Sequence, residues 1–216
     1  MSKYRNQLPQ LSDKTFITDG GLETTLIFHH GYDLPEFAAF DLFKQSNGYE
    51  TLRNYFTEYA TVAKTHQTGY ILESPTWRAS RDWGRKIGYS PKDLKEINRL
   101  SIAMLEDIRT RLEDERTPMV ISGNIGPRGD GYTVEDKMTA RQAQQYHSEQ
   151  ISTFSETEAD LVSAFTINYV EEAVGITRAA RDAGIPVVIS FTVETDGRLP
   201  SGQSLGEAFT AVDLAT

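Results

Sequence analysis

The pattern that recurs along the chain, a short apolar run that ends at a polar residue, first occurs in the stretch Phe16-Ile17-Thr18-Asp19-Gly20-Gly21-Leu22-Glu23-Thr24-Thr25. A short apolar run of the kind that forms a strand ends there at a carboxylate, and two glycines follow. Glycines let the backbone turn and approach a ligand closely, because they carry no Cβ. The stretch therefore indicates either the mouth of a binding site or a plain Asp-Gly turn after a strand.

The same order, a short apolar run and then an amphipathic helix, recurs along the chain. Apolar residues at three- and four-residue steps predict the helices, which cover about 49–67, 90–112, 139–157 and 170–184, with a last one after Ser204. The predicted strands are 16–18, 70–72, 118–122, 159–165 and 186–191. Gly69 is expected to close the first helix, and Ser204 with Glu207 predicts a capping box. The run 186–191 is almost wholly apolar, which is typical of parallel sheets covered on both faces.

Five successive strand-then-helix units favour an α/β fold with right-handed crossovers. A polar residue follows each strand, namely Asp19, Glu73, Asn124, Thr166 and Glu194. This favours a (β/α)8 TIM-type barrel, whose sites collect at the C-terminal ends of the strands, over an open doubly wound sheet. We expect residues 1–216 to form a single barrel domain that is truncated at its C-terminus and covers about the first five βα units. The first and fifth strands would then be open edges, available for self-association.

The composition excludes several classes of partner. A chain of 216 residues with a net charge of −9 is repelled by a phosphate backbone or an anionic membrane unless a basic patch intervenes. Arg78, Arg81, Arg85 and Lys86 come closest to such a patch, but Asp82 interrupts them, and a solvated loop surface explains them equally well. No apolar run is long enough to span a bilayer, and the N-terminus lacks a signal-peptide core, so we expect a cytoplasmic protein.

The chain contains no cysteine, which excludes disulfides, thiolate-ligated metals and a cysteine nucleophile within these residues. His29 and His30 are adjacent and would point in different directions, so they do not predict a shared metal. His147 falls on the inward face of its helix and is expected to pack there. The glycine-rich loop 123–131 lacks the G-x-G-x-x-G spacing, so a dinucleotide is not predicted.

Four segments, in order and from about Phe16 onward, resemble the homocysteine S-methyltransferase family. They are Asp19-Gly20-Gly21-Leu22-Glu23-Thr24, Glu73-Ser74-Pro75-Thr76-Trp77-Arg78-Ala79-Ser80, Ser122-Gly123-Asn124-Ile125-Gly126-Pro127-Arg128-Gly129, and 190–202, which begins Ser190-Phe191-Thr192. Each motif is weak alone, but four of them in register make a specific signal.

The resemblance implies a zinc-dependent barrel that binds homocysteine and moves a methyl group from a donor onto its sulfur, giving methionine. Zinc would hold the thiol as a thiolate near neutral pH. In that family the Asp-Gly-Gly segment holds the amino-acid end of homocysteine, a role that transfers to Asp19, Gly20 and Gly21: the carboxylate pairs with the ammonium, and the exposed amides donate to the carboxylate. The candidate substrate-binding residues are Asp19, Gly20, Gly21, Glu73, Thr76, Asn124 and Glu194. No catalytic residue and no methyl donor is assigned.

Two departures from the family pattern affect these expectations. The family's zinc ligands are three cysteines, which we expect beyond Thr216, so the chain alone is expected to be inactive. Some members also carry a glutamate at the end of the fourth strand that meets the substrate amine, but this chain has 164–167, Ala-Phe-Thr-Ile, there. Either Glu73 or Glu194 takes that role, or the substrate is not quite homocysteine.

Two other functions stay open. One is a different α/β-barrel enzyme, of the lyase or aldolase type, that uses Glu73 or Glu194 as a general base. No lysine lies at a strand end to form a Schiff base. The other is a non-catalytic protein that binds a small amino acid or associates with another chain through its open edges.

Overall fold

The strands form one curled parallel sheet in the computed structural model, which describes residues 2–134 and 136–215. The strands are β1 Phe16–Ile17, β2 Gly69–Glu73, β3 Met119–Ile125, β4 Leu161–Ile167 and β5 Val187–Phe191. They pair in chain order, all parallel, with Ile17 opposite Tyr70 and Val162 opposite Val187. The order never reverses, so the sheet has no switch point of the doubly wound kind. The sheet is half of a barrel, and the predicted incomplete TIM-type barrel of about five units is confirmed.

Helices connect the strands. They are α1 Leu22–Thr24, which continues into a π-helical turn Thr25–His29, then α2 Gly48–His66, α3 Arg81–Lys86, α4 Pro91–Leu112, α5 Ala140–Ser155, α6 Val170–Asp182 and α7 Leu205–Asp213. Short 3-10 turns cover Pro9–Leu11, Pro35–Phe37 and Ala39–Lys44. α2 packs on β2 and α4, and α5 packs on α6. Within the described residues, none of the helices is both long and apolar enough to cross a membrane.

The sequence signals for helix ends were mostly correct. Ser204 and Glu207 form the predicted capping box at the start of α7, and Gly184, at φ +65°, closes α6. The prediction that Gly69 closes α2 is wrong, because Gln67 takes the left-handed conformation there (φ 54°). Gly69 lies in β2, where an added Cβ would come within 2.3 Å of the Phe16 ring. Its lack of a side chain thus allows β1 and β2 to pair closely.

The core lies between the sheet and its helices, and the strands differ in how fully they are covered. Every residue of β3 is buried except Asn124, which is half-buried. β5 is different: Val188 is 48% exposed and the other four residues are only partly buried. The prediction that β5 is covered on both faces is therefore wrong for this structure. β5 is also an edge strand, since no other strand among the described residues pairs with its outer side.

Asp160 lies immediately before β4, at the edge of the sheet where the strands begin, and is fully buried. Its Oδ2 accepts hydrogen bonds from Arg109 Nη1 at 2.7 Å and from the backbone amide of Ile121 at 2.9 Å. Its Oδ1 accepts from the backbone amide of Tyr4 at 2.7 Å. One buried carboxylate thus joins α4, β3 and the N-terminus.

Tyr4 and Arg5 form an N-terminal strap across this edge. The Arg5 guanidinium donates to the backbone oxygens of Ser155 and Thr157 at 2.9 and 3.1 Å, and to that of Ala159 at 2.6 Å. These carbonyls follow the end of α5, where backbone oxygens lack helical partners. The strap therefore caps α5 and fixes its connection to β4.

Candidate functional site

A cleft of about 630 Å³ opens where the first four strands end. Its lining comes from the loops after β1, β2 and β3 and from the last residues of β4; it comprises Thr18, Asp19, Gly20, Gly21, Leu22, Glu23, Thr24, Phe37, Glu73, Ser74, Trp77, Arg78, Asn124, Asp130, Tyr132, Phe165 and Thr166. Clefts of this size suit small-molecule ligands. The C-terminal edge of the sheet therefore carries the candidate site, as barrel folds generally place it.

Asp19 stands at the end of β1 and faces this cleft. Its Oδ2 accepts a hydrogen bond from the hydroxyl of Tyr55 in α2 at 3.0 Å. Burial raises the pKa of Asp19 to about 6, and the Tyr55 bond opposes that shift. The carboxyl is therefore ionised above neutral pH while lacking a cationic partner at hydrogen-bond distance among the described residues, so it suits a ligand ammonium.

Gly20 and Gly21 line the cleft without the positive φ that glycines often provide. Neither is among the positive-φ residues, and Gly21 has φ −77° as the cap residue before α1. An added Cβ at Gly20 would lie 2.7 Å from the hydroxyl oxygen of Tyr59, so the end of that side chain would have to shift. Gly20 thus lets the Tyr59 side chain of α2 lie close to the segment after β1.

Glu73 ends β2 and is the most deeply buried acid of the cleft, at 6% exposed. Its Oε1 accepts from Ser163 Oγ on β4 at 2.9 Å, and Ser163 in turn bonds Ser122 on β3 at 2.8 Å. Its Oε2 is buried and has no hydrogen-bond partner among the described residues. Burial raises the pKa of Glu73 from 4.5 to about 7, although the serines oppose the shift. One buried carboxyl oxygen is therefore left for a ligand.

This geometry predicts how Glu73→Gln changes stability with pH. The folded state binds the Glu73 proton more tightly than the unfolded chain, so this group makes the protein less stable as the pH rises from 4.5 to about 7. We expect the glutamine variant, which keeps an acceptor for Ser163, to be more stable than the parent by about 1–3 kcal/mol above this window. The difference should shrink towards zero below it. Urea unfolding at a series of pH values measures this.

The matched control is Glu194→Gln, which removes an exposed carboxyl outside the cleft. Its free energy of unfolding should follow that of the parent at every pH. If the gain from Glu73→Gln does not change with pH, the carboxyl does not titrate in this range and its burial is not the cause.

Glu23, in the first turn of α1, is a third acid of the cleft. Burial raises its pKa to about 7, Asp19 raises it further, and Arg78 opposes the shift. Three carboxyls with raised pKa values thus share one cavity. Such clustering is typical of ligand sites, where several ionisable groups with shifted pKa values are held close together although this lowers the stability of the fold.

Arg78 forms the Trp77–Arg78–Trp83 stack at the other side of the cleft. Its guanidinium carbon lies 3.8 Å from the ring centroid of Trp77 and 3.7 Å from that of Trp83. Nη1 donates to the backbone oxygen of Gly129 at 3.0 Å, and burial lowers the pKa of Arg78 to about 10. The interpretation of Arg78 as part of a solvated surface is wrong, whereas Arg81 is indeed exposed.

β4 is irregular at the cleft. Its pairing with β5 shifts between Ala164 and Ile167, and Thr166 has φ 58°. A β-branched residue in that conformation is strained by about 1–3 kcal/mol. Thr166 Oγ1 accepts from Trp77 Nε1 at 3.2 Å, and Phe165 lines the cleft beside it. The bulge therefore places the Phe165 ring in the lining of the cleft.

The cleft brings together five of the seven predicted substrate-binding residues: Asp19, Gly20, Gly21, Glu73 and Asn124. Thr76 is buried behind its wall, where its hydroxyl donates to the backbone oxygen of Asn124 at 2.7 Å. Glu194 is exposed and outside the lining, and its amide donates to the backbone oxygen of Arg198 at 2.7 Å. Thr76 thus supports the site from behind, and Glu194 lies away from it.

Sequence reasoning missed several lining residues. Glu23 and Arg78 lay inside the quoted motifs, and Asp130 and Tyr132 lay in or beside the glycine-rich loop after β3. The only sequence signal that these residues line the cleft is that they lie close to the end of a strand. The sequence does not show in which direction the side chains of each loop point.

The residues of the cleft do not fit zinc. Zinc is bound by sets of cysteine, histidine and carboxylate side chains. The described residues include no group of three such side chains that could hold a metal ion, and the chain has no cysteine. The described residues therefore supply no set of zinc ligands to this cleft.

Comparison with known proteins decides the family. The family model for homocysteine S-methyltransferase matches residues 16–215, from β1 to the end of α7. The chain belongs to the homocysteine S-methyltransferase family. The resemblance of the four segments is thus confirmed for nearly the whole length of the chain. Among curated proteins, none matches it.

Solved structures of the homocysteine methyltransferase MmuM from Escherichia coli share the fold. The oxidised form has a TM-score of 0.79 at 16% identity and covers 95% of this chain and 71% of its own. The metallated form has a TM-score of 0.76 at 15% identity, with 94% and 72% covered. The apo form has a TM-score of 0.69 at 17% identity, with 97% and 71% covered. These TM-scores show a common fold for MmuM and this homocysteine S-methyltransferase-family chain.

Proposed function

We propose that this chain binds homocysteine in the cleft, as part of a methyltransferase that moves a methyl group from a donor onto the homocysteine sulfur and gives methionine. The observation that carries the proposal is the pair of carboxyls, the half-buried Asp19 and the buried Glu73, at the ends of neighbouring strands in a chain of this family. Asp19 pairs with the ammonium group of homocysteine, and the backbone amides of Gly20 and Gly21 donate hydrogen bonds to the carboxylate of homocysteine.

Glu73 takes the role of the glutamate that some family members carry on β4. It reaches β4 through Ser163, two residues before Phe165, and its Oε2 is buried without a partner among the described residues. A cation placed against that oxygen would satisfy it and favour its ionised form. Because Glu194 is exposed, we leave it out of the substrate site.

Methyl transfer requires the thiolate, and a free thiol with a pKa of about 8.5 is mostly protonated at neutral pH. The described residues offer no metal-ligand group to hold it deprotonated. We therefore propose that these 216 residues bind the amino acid without completing the transfer on their own.

The test is Asp19→Asn, which keeps the size and an acceptor for Tyr55 but removes the charge. Loss of a charge-assisted bond to the ammonium should weaken homocysteine binding by about 1–3 kcal/mol, roughly 5- to 150-fold. Titration calorimetry at about pH 8 measures this with Asp19 ionised, since its pKa is about 6.

Glu194→Gln again serves as the control, because it removes one acid of equal charge outside the cleft, and its affinity should equal that of the parent. If Asp19→Asn binds homocysteine as tightly as the parent does, the Asp-Gly-Gly segment is only a turn and the proposed substrate site is wrong.

One observation favours a second candidate function, that of a barrel enzyme with Glu73 as general base. A base works best with a pKa near the working pH, and the pKa of Glu73 is raised to about 7 with one oxygen free. The two functions differ in the ligand: methyl transfer requires a thiol, whereas the general-base reaction requires only an acidic proton near Glu73.

A further inference from the structure

The Trp77–Arg78–Trp83 stack limits how the Arg78 guanidinium can bind anything. Its guanidinium carbon lies 3.8 Å from the Trp77 ring centroid and 3.7 Å from the Trp83 ring centroid, so both indoles are in contact with it. The N–H groups of a guanidinium lie in its plane and form a rigid fork. With two rings this close, the edge of the guanidinium that carries these N–H groups is the part that a partner can use.

Each indole is held in place by a distant segment, Trp77 by β4 and Trp83 by the loop after β3. Trp77 Nε1 donates to Thr166 Oγ1 at 3.2 Å, and Trp83 Nε1 donates to the backbone oxygen of Pro127 at 3.2 Å. The plane of the Arg78 fork is thus fixed before a ligand arrives. A preset donor loses less conformational entropy when it binds.

The fork has donors to spare. Nη1 is used by the Gly129 oxygen, whereas Nε is buried with no hydrogen-bond partner among the described residues. Among the described residues Arg78 forms no ion pair within 4.0 Å, although Asp130 and Glu23 act on it electrostatically. One oxygen of Asp130 is already used, since Oδ1 accepts from the amides of Tyr132 and Thr133. A buried donor without an acceptor is costly, so the site is incomplete as it stands.

We propose that the Trp77–Arg78–Trp83 stack is an anion subsite of the cleft, which binds a carboxylate of the ligand through the in-plane donors of Arg78. A planar carboxylate matches this fork. The acids Asp19, Glu23 and Glu73 in the same cavity favour a group with a single negative charge on a ligand that also carries a cation, over a phosphate dianion.

Either of two ligands can supply the carboxylate that binds Arg78, and for both of them the inference rests on the proposed function. It belongs either to the amino-acid acceptor, which then spans the cleft from Asp19 to Arg78, or to a second ligand, the methyl donor, bound beside an acceptor whose own carboxylate lies at the glycine amides.

The chain offers a direct probe, because its two tryptophans are the two that flank Arg78 in the stack. Intrinsic fluorescence therefore reports this subsite, and calorimetry gives the affinities. The probes are homocysteine, its carboxylate-free analogue 3-aminopropane-1-thiol, and butyrate. The variants are Arg78→Gln, Arg78→Lys and, as a matched control, Arg81→Gln, which removes an exposed arginine outside this cleft.

We expect the parent and Arg81→Gln to bind homocysteine at least about tenfold more tightly than the carboxylate-free analogue. If the acceptor supplies the carboxylate, Arg78→Gln should reduce this preference to about twofold or less, while its affinity for the analogue stays that of the parent. If a second ligand supplies it, the preference should stay and only the butyrate response should be lost. Arg78→Lys keeps the charge but loses the planar fork, so its preference should fall between these values. If Arg78→Gln does not fold, the same comparison of affinities is made between Arg78→Lys and the parent.

A preference that Arg78→Gln leaves unchanged excludes homocysteine as the source of the carboxylate, and it overturns the proposal if the butyrate response is also independent of Arg78. An equal loss of affinity for both thiols would overturn the proposal too, because it would make Arg78 purely structural. If homocysteine does not bind but butyrate changes the fluorescence of the parent and not of Arg78→Gln, the proposed function fails and the subsite stands. The absence of a fluorescence response to every carboxylate overturns the subsite.

The two possible ligands are distinguished by adding butyrate under saturating homocysteine. An Arg78-dependent butyrate response that persists there assigns the subsite to a second ligand, and loss of this response assigns the subsite to homocysteine.

Discussion

Replacing Asp160 with alanine should lower the free energy of unfolding by about 3–5 kcal/mol, because it leaves the buried Arg109 guanidinium without its partner. The ion pair is 2.7 Å long, with side chains 7% and 0% exposed. The substitution also removes the acceptor for the backbone amides of Ile121 and Tyr4. Urea denaturation followed by circular dichroism measures the loss.

Asp107→Ala is the matched control, since it breaks an aspartate–arginine pair of 2.8 Å that lies on the surface of the same helix, α4. Exposed pairs contribute about 0–1 kcal/mol, so this variant should stay close to the parent. If the two alanine variants lose similar amounts, burial of the Asp160 pair has no special consequence.

Phe154→Ala should cost about 3–5 kcal/mol, because it leaves a cavity at a point where helix and sheet are in close contact. The Phe154 ring in α5 is fully buried and rests on Gly123 of β3, where an added Cβ would lie 2.5 Å from the ring. Gly123→Ala in the parent should therefore cost about 1–3 kcal/mol through overpacking. Urea unfolding of each variant gives both values.

The two substitutions should not be additive. Once the Phe154 ring is gone, the methyl group of Gly123→Ala enters empty space, so its cost should disappear, giving a coupling of about 1–3 kcal/mol. Phe28→Ala, which removes an exposed phenylalanine, is the control and should change stability by less than about 1 kcal/mol. Strict additivity in the double variant would show that the ring does not set the limit at Gly123.

The fold was predictable because each strand lies between turn signals and a helix with one apolar face. The Asp19 and Glu73 positions followed from the same logic, since parallel strands deliver their C-terminal ends to one edge. The end of β4 was misplaced: the strand was predicted to stop at residue 165 but runs to Ile167. The bulge at Thr166 adds residues that period-two alternation does not anticipate.

The rest of the site depends on contacts between distant segments. Arg78 is enclosed by two indoles whose positions are set by Thr166 and Pro127, from the strands and loops after it in the chain. Thr76 turns behind the wall because Asn124 offers it a backbone oxygen. No local pattern records such partners, so side-chain direction in these loops could not be derived from sequence.

The N-terminal strap has a consequence for synthesis. Tyr4 and Arg5 leave the ribosome early, yet Asp160 and Ser155 lie 156 and 150 residues further along the chain. Their bonds cannot form until Ser155 and Asp160, which precede β4, have emerged from the exit tunnel. Within the described part of the chain, nascent lengths that end before Ser155 can hold this segment only through Glu113, which accepts from the Tyr4 hydroxyl at 2.6 Å.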